Sequence, residues 1–187
     1  MAQINTMIPL SIPNISGNEW KYVKDCLDTG WISSAGEYVN QFEKAIKDYT
    51  GAKYAIACMN GTAGLQVSLD LLNVSSNDII IAPNLTFVAT LNAIKYSGAQ
   101  IVLIDVCEDT WQIDIDLLRK WLQKHTTITV VDGEKITTEN TTGKKIGAVM
   151  PVYVLGGFIG IDQLIKILLI NLLNHTIPYS VIIFLLH

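Results

Sequence analysis

The hydrophobic positions of the chain switch repeatedly between strand-like runs and helix-like spacing. Tyr54 to Cys58 is a short apolar run that reads as a buried strand. A sharp turn at Asn60-Gly61 follows, and Leu65, Leu69 and Leu72 then recur at the spacing of one helix face, predicting a helix that opens at Thr62. Asp78 to Ala82 repeats the buried-strand pattern and runs through Pro83-Asn-Leu-Thr-Phe-Val-Ala-Thr90 into a helix to about Ser97, stopped by Gly98. Ile101 to Asp105 is a third strand, ending in an acid. Asp114 caps a helix holding Leu117, Leu118, Trp121 and Leu122. Thr127 to Val131 is a short strand, Asp132 to Lys145 a polar hairpin or loop, and Ile146 to Val152 an apolar strand leading into Tyr153-Val-Leu-Gly156. Ile161 to about Ile170 is helical.

Upstream, Pro9 to Pro13 reads as extended. Ser16 and Glu19 have the spacing of a capping box, with Trp20, Val23 and Leu27 on one face of the helix behind it and Gly30 as its C-cap. Gly30 to Gly36 is a small-residue loop carrying Trp31, which either lines a site or packs against the domain. A second helix spans Glu37 to Tyr49 through Val39, Phe42, Ile46 and Tyr49, and Gly51 ends it.

Strands alternating with helices, and apolar on both faces, predict an α/β fold whose parallel sheet is covered by helices. Ligands of such sheets bind beyond the carboxyl ends of the strands. Asn60-Gly61-Thr62, Pro83 to Phe87, Asp105 and Tyr153 all fall at such ends. At the first of these, a strand turning into a helix leaves backbone N–H groups unpaired, and with the helix dipole and the Thr62 hydroxyl they suit a phosphate. Gly61 would let the anion approach the backbone. The same residues also read as an ordinary turn whose Thr caps the helix.

Composition narrows the classes. At 187 residues, half of them hydrophobic, the chain is long enough for one sizeable core. A net charge of -4 gives no reason to expect nucleic acid or an anionic membrane as partner. Cys26, Cys58 and Cys107 are odd in number and far apart, indicating neither a disulfide framework nor a metal site, and Cys58 reads as core. Met1 to Leu10 lacks the basic and apolar regions of a secretory signal, so a reducing cytoplasm is expected.

Several segments together resemble a known family. They are Ile8-Pro-Leu-Ser, Gly30-Trp-Ile-Ser-Ser-Ala-Gly36, Phe42-Glu43, Asn60-Gly-Thr-Ala63, Pro83 to Thr90, Asp105 with Asp109-Thr110, and Met150-Pro-Val-Tyr-Val-Leu-Gly156. In this order and spacing they resemble the DegT/StrS family of pyridoxal-phosphate (PLP) sugar aminotransferases. The resemblance runs from about residue 8 to about residue 166. It implies residues 1–166 to be the N-terminal part of a fold-type I large domain, and 167–187 to be an apolar divergent or truncated tail. It implies that Gly61, Thr62 and Ala63 hold the PLP phosphate and that Phe87 stacks on the cofactor ring. It implies a cytoplasmic homodimer that moves an amino group from a donor such as glutamate to a nucleotide-linked keto sugar. The polar insertion Asp132 to Lys145 is similar to a subgroup acting in surface-glycan pathways. Tyr153 stands where the family pattern has His.

The resemblance also places two catalytic groups downstream of the Ile161 to Lys166 helix: a lysine that binds PLP covalently and an acid beside the pyridine nitrogen. Here no Lys follows Lys166 and no Asp or Glu follows Asp162. Three functions are therefore expected to compete. The chain is part of an aminotransferase, inactive alone; or it is a non-catalytic remnant or dimerising binding protein; or its apolar Ile167 to His187 segment tethers it to a membrane. The third is disfavoured because Asn171, Asn174, His175, Thr176, Pro178 and Ser180 interrupt that segment.

Overall fold

A computed structural model describes residues 7–9, 11–131, 134–157, 160–171 and 185–186. The chain divides into two compact units, Met1–Ala57 and Cys58–His187.

The first unit holds α1 (Glu19–Thr29) and α2 (Glu37–Thr50). Glycines with left-handed backbone end both helices, Gly30 at φ 77° and Gly51 at φ 71°, as expected. The expected capping box does not form. Asn18 is the N-cap and makes no side-chain cap bond, so Glu19 occupies the first helical position instead of the third. From there its carboxylate reaches back to accept the Gly17 N–H at 2.8 Å. Tyr22 and Tyr38 join the helices, their rings 4.9 Å apart, and the Tyr38 hydroxyl donates to Asp25. That hydrogen bond raises the Tyr38 pKa.

The expected strand at Tyr54 to Cys58 is absent. Tyr54 and Ile56 are exposed, and no ladder forms along the segment among the described residues. A strand needs a neighbouring edge to take up its backbone groups. Here the Ala57 N–H instead donates to the Glu43 carboxylate at 2.8 Å. Cys58 is therefore exposed, not core, and it, Cys26 and Cys107 are free thiols.

The second unit is built around β1 (Asp78–Pro83), buried at every position. It pairs in parallel with β2 (Gln100–Ile104) on one side and β5 (Lys145–Val149) on the other. The sheet continues antiparallel through β4 (Glu134–Glu139) to β3 (Thr126–Val131), in the order β2-β1-β5-β4-β3. The polar segment after Val131 is thus a hairpin arm of the main sheet, its Asp132-Gly133 tip lying outside the described residues. Pro151 divides the last expected strand, leaving β6 (Val152–Tyr153), which pairs with β7 (Leu185–Leu186).

Helices α3 (Gly61–Leu71), α4 (Val88–Tyr96), α5 (Ile115–His125) and α6 (Ile161–Asn171) close the core. Leu65 and Leu69 of α3, Ala93 and Ile94 of α4, Leu118 and Leu122 of α5, and Leu164 and Leu168 of α6 pack with Ile79, Ile80 and Ile81 of β1. Each large side chain so buried contributes about 1.5–3 kcal/mol. Ile167 and Leu168 are in this core, so α6 stays integral to the fold up to Asn171. Its C-terminus is tied to β4: the Thr137 hydroxyl donates to the Asn171 carbonyl and the Lys135 ammonium to that of Ile170. Among the described residues, no helix is long and apolar enough to cross a membrane.

One irregularity in the sheet has a clear cause. Ile79 faces Ile146 but Ile80 faces Ala148, so Gly147 is the extra residue of a bulge. Asp78 fills the space beside it, held by the Ser75 N–H at 2.8 Å, the Ser75 hydroxyl at 2.9 Å and the Lys145 ammonium at 3.5 Å. A Cβ on Gly147 would lie 3.1 Å from the Asp78 Cβ. With Asp78 so tethered, Gly147→Ala is expected to destabilise the chain by about 1–3 kcal/mol, read from chemical denaturation. A loss below a few tenths would show that the bulge relaxes freely.

Glu139 orders the turn after β4. Its carboxylate accepts from the Thr142 hydroxyl at 2.8 Å and from the N–H groups of Thr141 at 3.0 Å and Thr142 at 2.8 Å. The Thr142 hydroxyl first, then the two amides, lower its pKa from 4.5 to about 2. The folded state thus favours the ionised form, a contribution complete above the ordinary value and lost as pH falls through the folded one. Melting temperature is expected to drop between pH 4.5 and about 2 by more in the native chain than in Glu139→Gln. Parallel curves over that window would refute the role of the carboxylate.

Candidate active site

The α3 N-terminus sits on its expected turn with one change of role. Asn60, not Thr62, is the N-cap: its side-chain oxygen accepts the Ala63 N–H at 2.8 Å and its carbonyl the Gly64 N–H at 3.1 Å. The amides of Gly61 and Thr62 are left without an acceptor among the described residues. Gly61 is not in left-handed backbone, so the turn itself does not demand glycine. The space a Cβ would occupy there is open, with no atom within 4 Å. Two free amides, a helix dipole and an unobstructed approach fit an anion such as the PLP phosphate.

Phe87 follows β1 as the residue before α4, with extended backbone and 65% exposure. It lines a cavity of about 450 Å³ together with Leu85, Thr86, Trp111, Val152 and Val154. These residues come from loops after β1 and β2 and from the chain after β5, the strand ends where sequence order places ligand loops. The cavity wall carries no ionisable side chain. Thr86 shares its hydroxyl with that of Thr90 at 2.9 Å, and Thr90 is fully buried. An aromatic ring exposed in an apolar cavity fits the flat face of a pyridine.

The other strand-end residues separate. Asp105, just beyond β2, accepts the Val106 N–H at 2.9 Å and faces solvent. Tyr153 is buried, and burial raises its pKa. Its neighbours Val152 and Val154 line the cavity and Tyr153 does not, as alternation along extended chain requires. Trp31 belongs to the first unit, where it lines a groove of about 800 Å³ with Tyr22, Val23, Leu27 and Phe42. Gly61, Thr62 and Ala63 stand outside the lining of the Phe87 cavity.

Trp111 is the cavity residue that sequence reading missed. Its backbone is left-handed, φ 57°, a conformation that costs a bulky residue roughly 1–2 kcal/mol. The available signal was an aromatic residue in an otherwise polar loop, directly after Asp109-Thr110.

A match to the DegT/DnrJ/EryC1/StrS aminotransferase family covers residues 13–169. The chain belongs to this family. A GDP-perosamine synthase of Caulobacter vibrioides is 36% identical over 160 residues, spanning 86% of this chain and 38% of that protein. A GDP-perosamine synthase of Escherichia coli O157:H7 is 41% identical over 108 residues, 58% of this chain and 30% of its own length. A Streptococcus pneumoniae structure described as a sugar aminotransferase, in its PMP form, superposes with a TM-score of 0.70 at 29% identity. It covers 86% of this chain and 35% of that one. The chain thus spans roughly a third of the length of the relatives it matches.

The family chemistry is only partly represented here. The phosphate and ring ends of PLP have fitting residues in α3 and at Phe87. Lys166, the last lysine, is exposed on α6.

Asn60 is the local test of the α3 terminus. Asn60→Ala is expected to cost about 1 kcal/mol in urea denaturation while Asn60→Asp keeps most of the stability. Equal stability of Asn60→Ala and the native chain would show that the cap contributes nothing.

Proposed function

We propose that this chain is the cofactor-seating portion of a nucleotide-sugar aminotransferase. The observation that carries this is the α3 N-terminus of a family member, where Asn60 caps the Ala63 amide and leaves those of Gly61 and Thr62 open. In this reading the two amides and the Thr62 hydroxyl hold the PLP phosphate, Ala63 completes the turn, and Phe87 stacks on the ring. PLP, when bound, supplies the electron sink through which an amino group passes from a donor to a keto group. The similarity to GDP-perosamine synthases supports a nucleotide-linked keto sugar as acceptor, and glutamate is a fitting donor. The whole protein would work in the cytoplasm as a homodimer, in surface-glycan synthesis. Residues 1–166 would be the N-terminal part of its large domain, and 167–187 a divergent continuation.

A second reading is a non-catalytic binding protein; within the given residues no lysine follows Lys166 and no Asp or Glu follows Asp162. The two readings agree that these residues by themselves bind without turning over. Pyridoxine 5′-phosphate is a suitable probe, since it lacks the aldehyde and cannot react with surface lysines. The chain is expected to bind it, with Thr62→Val weakening binding about tenfold or more, as loss of one hydrogen bond to a charged group implies. Purified chain with PLP, glutamate and nucleotide-linked keto sugars is expected to show no turnover above a no-protein control. Turnover that persists in Lys166→Ala would overturn the assignment of the chemistry, and unchanged binding by Thr62→Val would overturn the phosphate site.

A further inference from the structure

The geometry points to Trp111 as a second aromatic wall for the cofactor ring, sharing its cavity with Phe87; this rests on the PLP reading above. Three observations converge on that residue. It lines the same apolar cavity as Phe87, and both residues are more than half exposed, Trp111 at 54% and Phe87 at 65%. A cavity with two exposed aromatic rings and no ionisable lining suits a planar ring and not the phosphate, whose partners are the α3 amides.

The loop that carries Trp111 is closed and firmly placed. The Cys107 N–H donates to the Gln112 carbonyl, the Trp111 N–H to that of Cys107, and the Asp114 N–H to that of Asp105, each at 2.9 Å. Gln112 anchors it from beneath: it is 4% exposed, and its side-chain nitrogen lies 3.6 Å from where a Gly157 Cβ would be. The Gln112 side-chain oxygen is buried with no hydrogen-bond partner. The loop is therefore packed against the Val152 to Gly157 segment, which supplies Val152 and Val154 to the cavity wall.

The third observation is strain on both walls. Trp111 at φ 57° and Leu155 at φ 56° are left-handed non-glycine residues, one on each segment. The Trp111 N–H bond to the Cys107 carbonyl closes the turn that fixes this conformation, and more than half of the side chain is left exposed. A closed loop that presents an exposed indole on a strained backbone motivates a ligand-facing role for it.

The test uses the 187-residue chain with pyridoxine 5′-phosphate and with pyridoxine, which lacks the phosphate. Trp111→Gly removes the ring and also relieves the left-handed backbone. It is expected to weaken binding of both probes about tenfold without lowering the melting temperature. Trp111→Phe is expected to stay within about threefold of the native chain, because an aromatic face remains. Bound pyridoxine 5′-phosphate absorbs where indole emits, so it should quench tryptophan fluorescence, and Trp111→Phe should remove most of that quenching. This second readout decides the matter if Trp111→Gly fails to fold. Native-like affinity of Trp111→Gly, or quenching that survives in Trp111→Phe, overturns the wall. If Thr62→Val still weakens the phosphorylated probe in that case, the phosphate reading stands and Trp111 alone is dismissed. If the native chain binds neither probe, both fall.

Discussion

The second unit depends on burying one strand completely. All of β1 from Asp78 to Pro83 is inside, so each of its backbone groups must be paired by protein. Parallel neighbours on both sides meet that demand, and their connections must then cross over the sheet. The crossover after β1 is α4, and its start is where Phe87 stands. The site loops are therefore consequences of how β1 is covered: chain leaving the carboxyl ends of β1, β2 and β5 converges on one cavity.

The polar hairpin shows how a surface feature can carry structure. β4 joins the sheet beside β5 and uses Thr137 and Lys135 to satisfy carbonyls at the end of α6. Those carbonyls have no partner within the helix, and a lysine there also complements the helix dipole. Glu139 then fixes the return turn through three hydrogen bonds. The Gly147 bulge completes the arrangement by making room for a buried, tethered Asp78 beside β5.

In the proposed site the two ends of a PLP molecule would be read by different physics. Charge would go to the α3 terminus, where backbone dipoles and open amides need no ionised side chain. The ring would go to an apolar cavity, where stacking and exclusion of water act and where a charged wall would be costly to desolvate.

Much of this was legible from the sequence because it is local. Leu65 and Leu69, Leu118 and Leu122 announce buried helix faces by spacing, Asp114 is the cap it was read to be, and Gly30, Gly51 and Gly98 end their helices. Gly61-Thr62-Ala63 and Phe87 stand out in the sequence through a motif, and Asn60 lay in it with its capping role unrecognised. What tertiary structure alone decided is whatever needs a distant partner. Tyr54 to Cys58 has the composition of a strand, yet without an adjoining edge it has no ladder to enter. Ser16 and Glu19 have the spacing of a capping box, but the helix began elsewhere. The hairpin arm became part of the main sheet because β5 offered β4 an edge. Trp111 became a cavity wall because three backbone bonds close its loop and Gln112 packs that loop against a segment more than forty residues away. Periodicity and caps are properties of neighbours in the chain; pairing, strain and cavity are properties of neighbours in space.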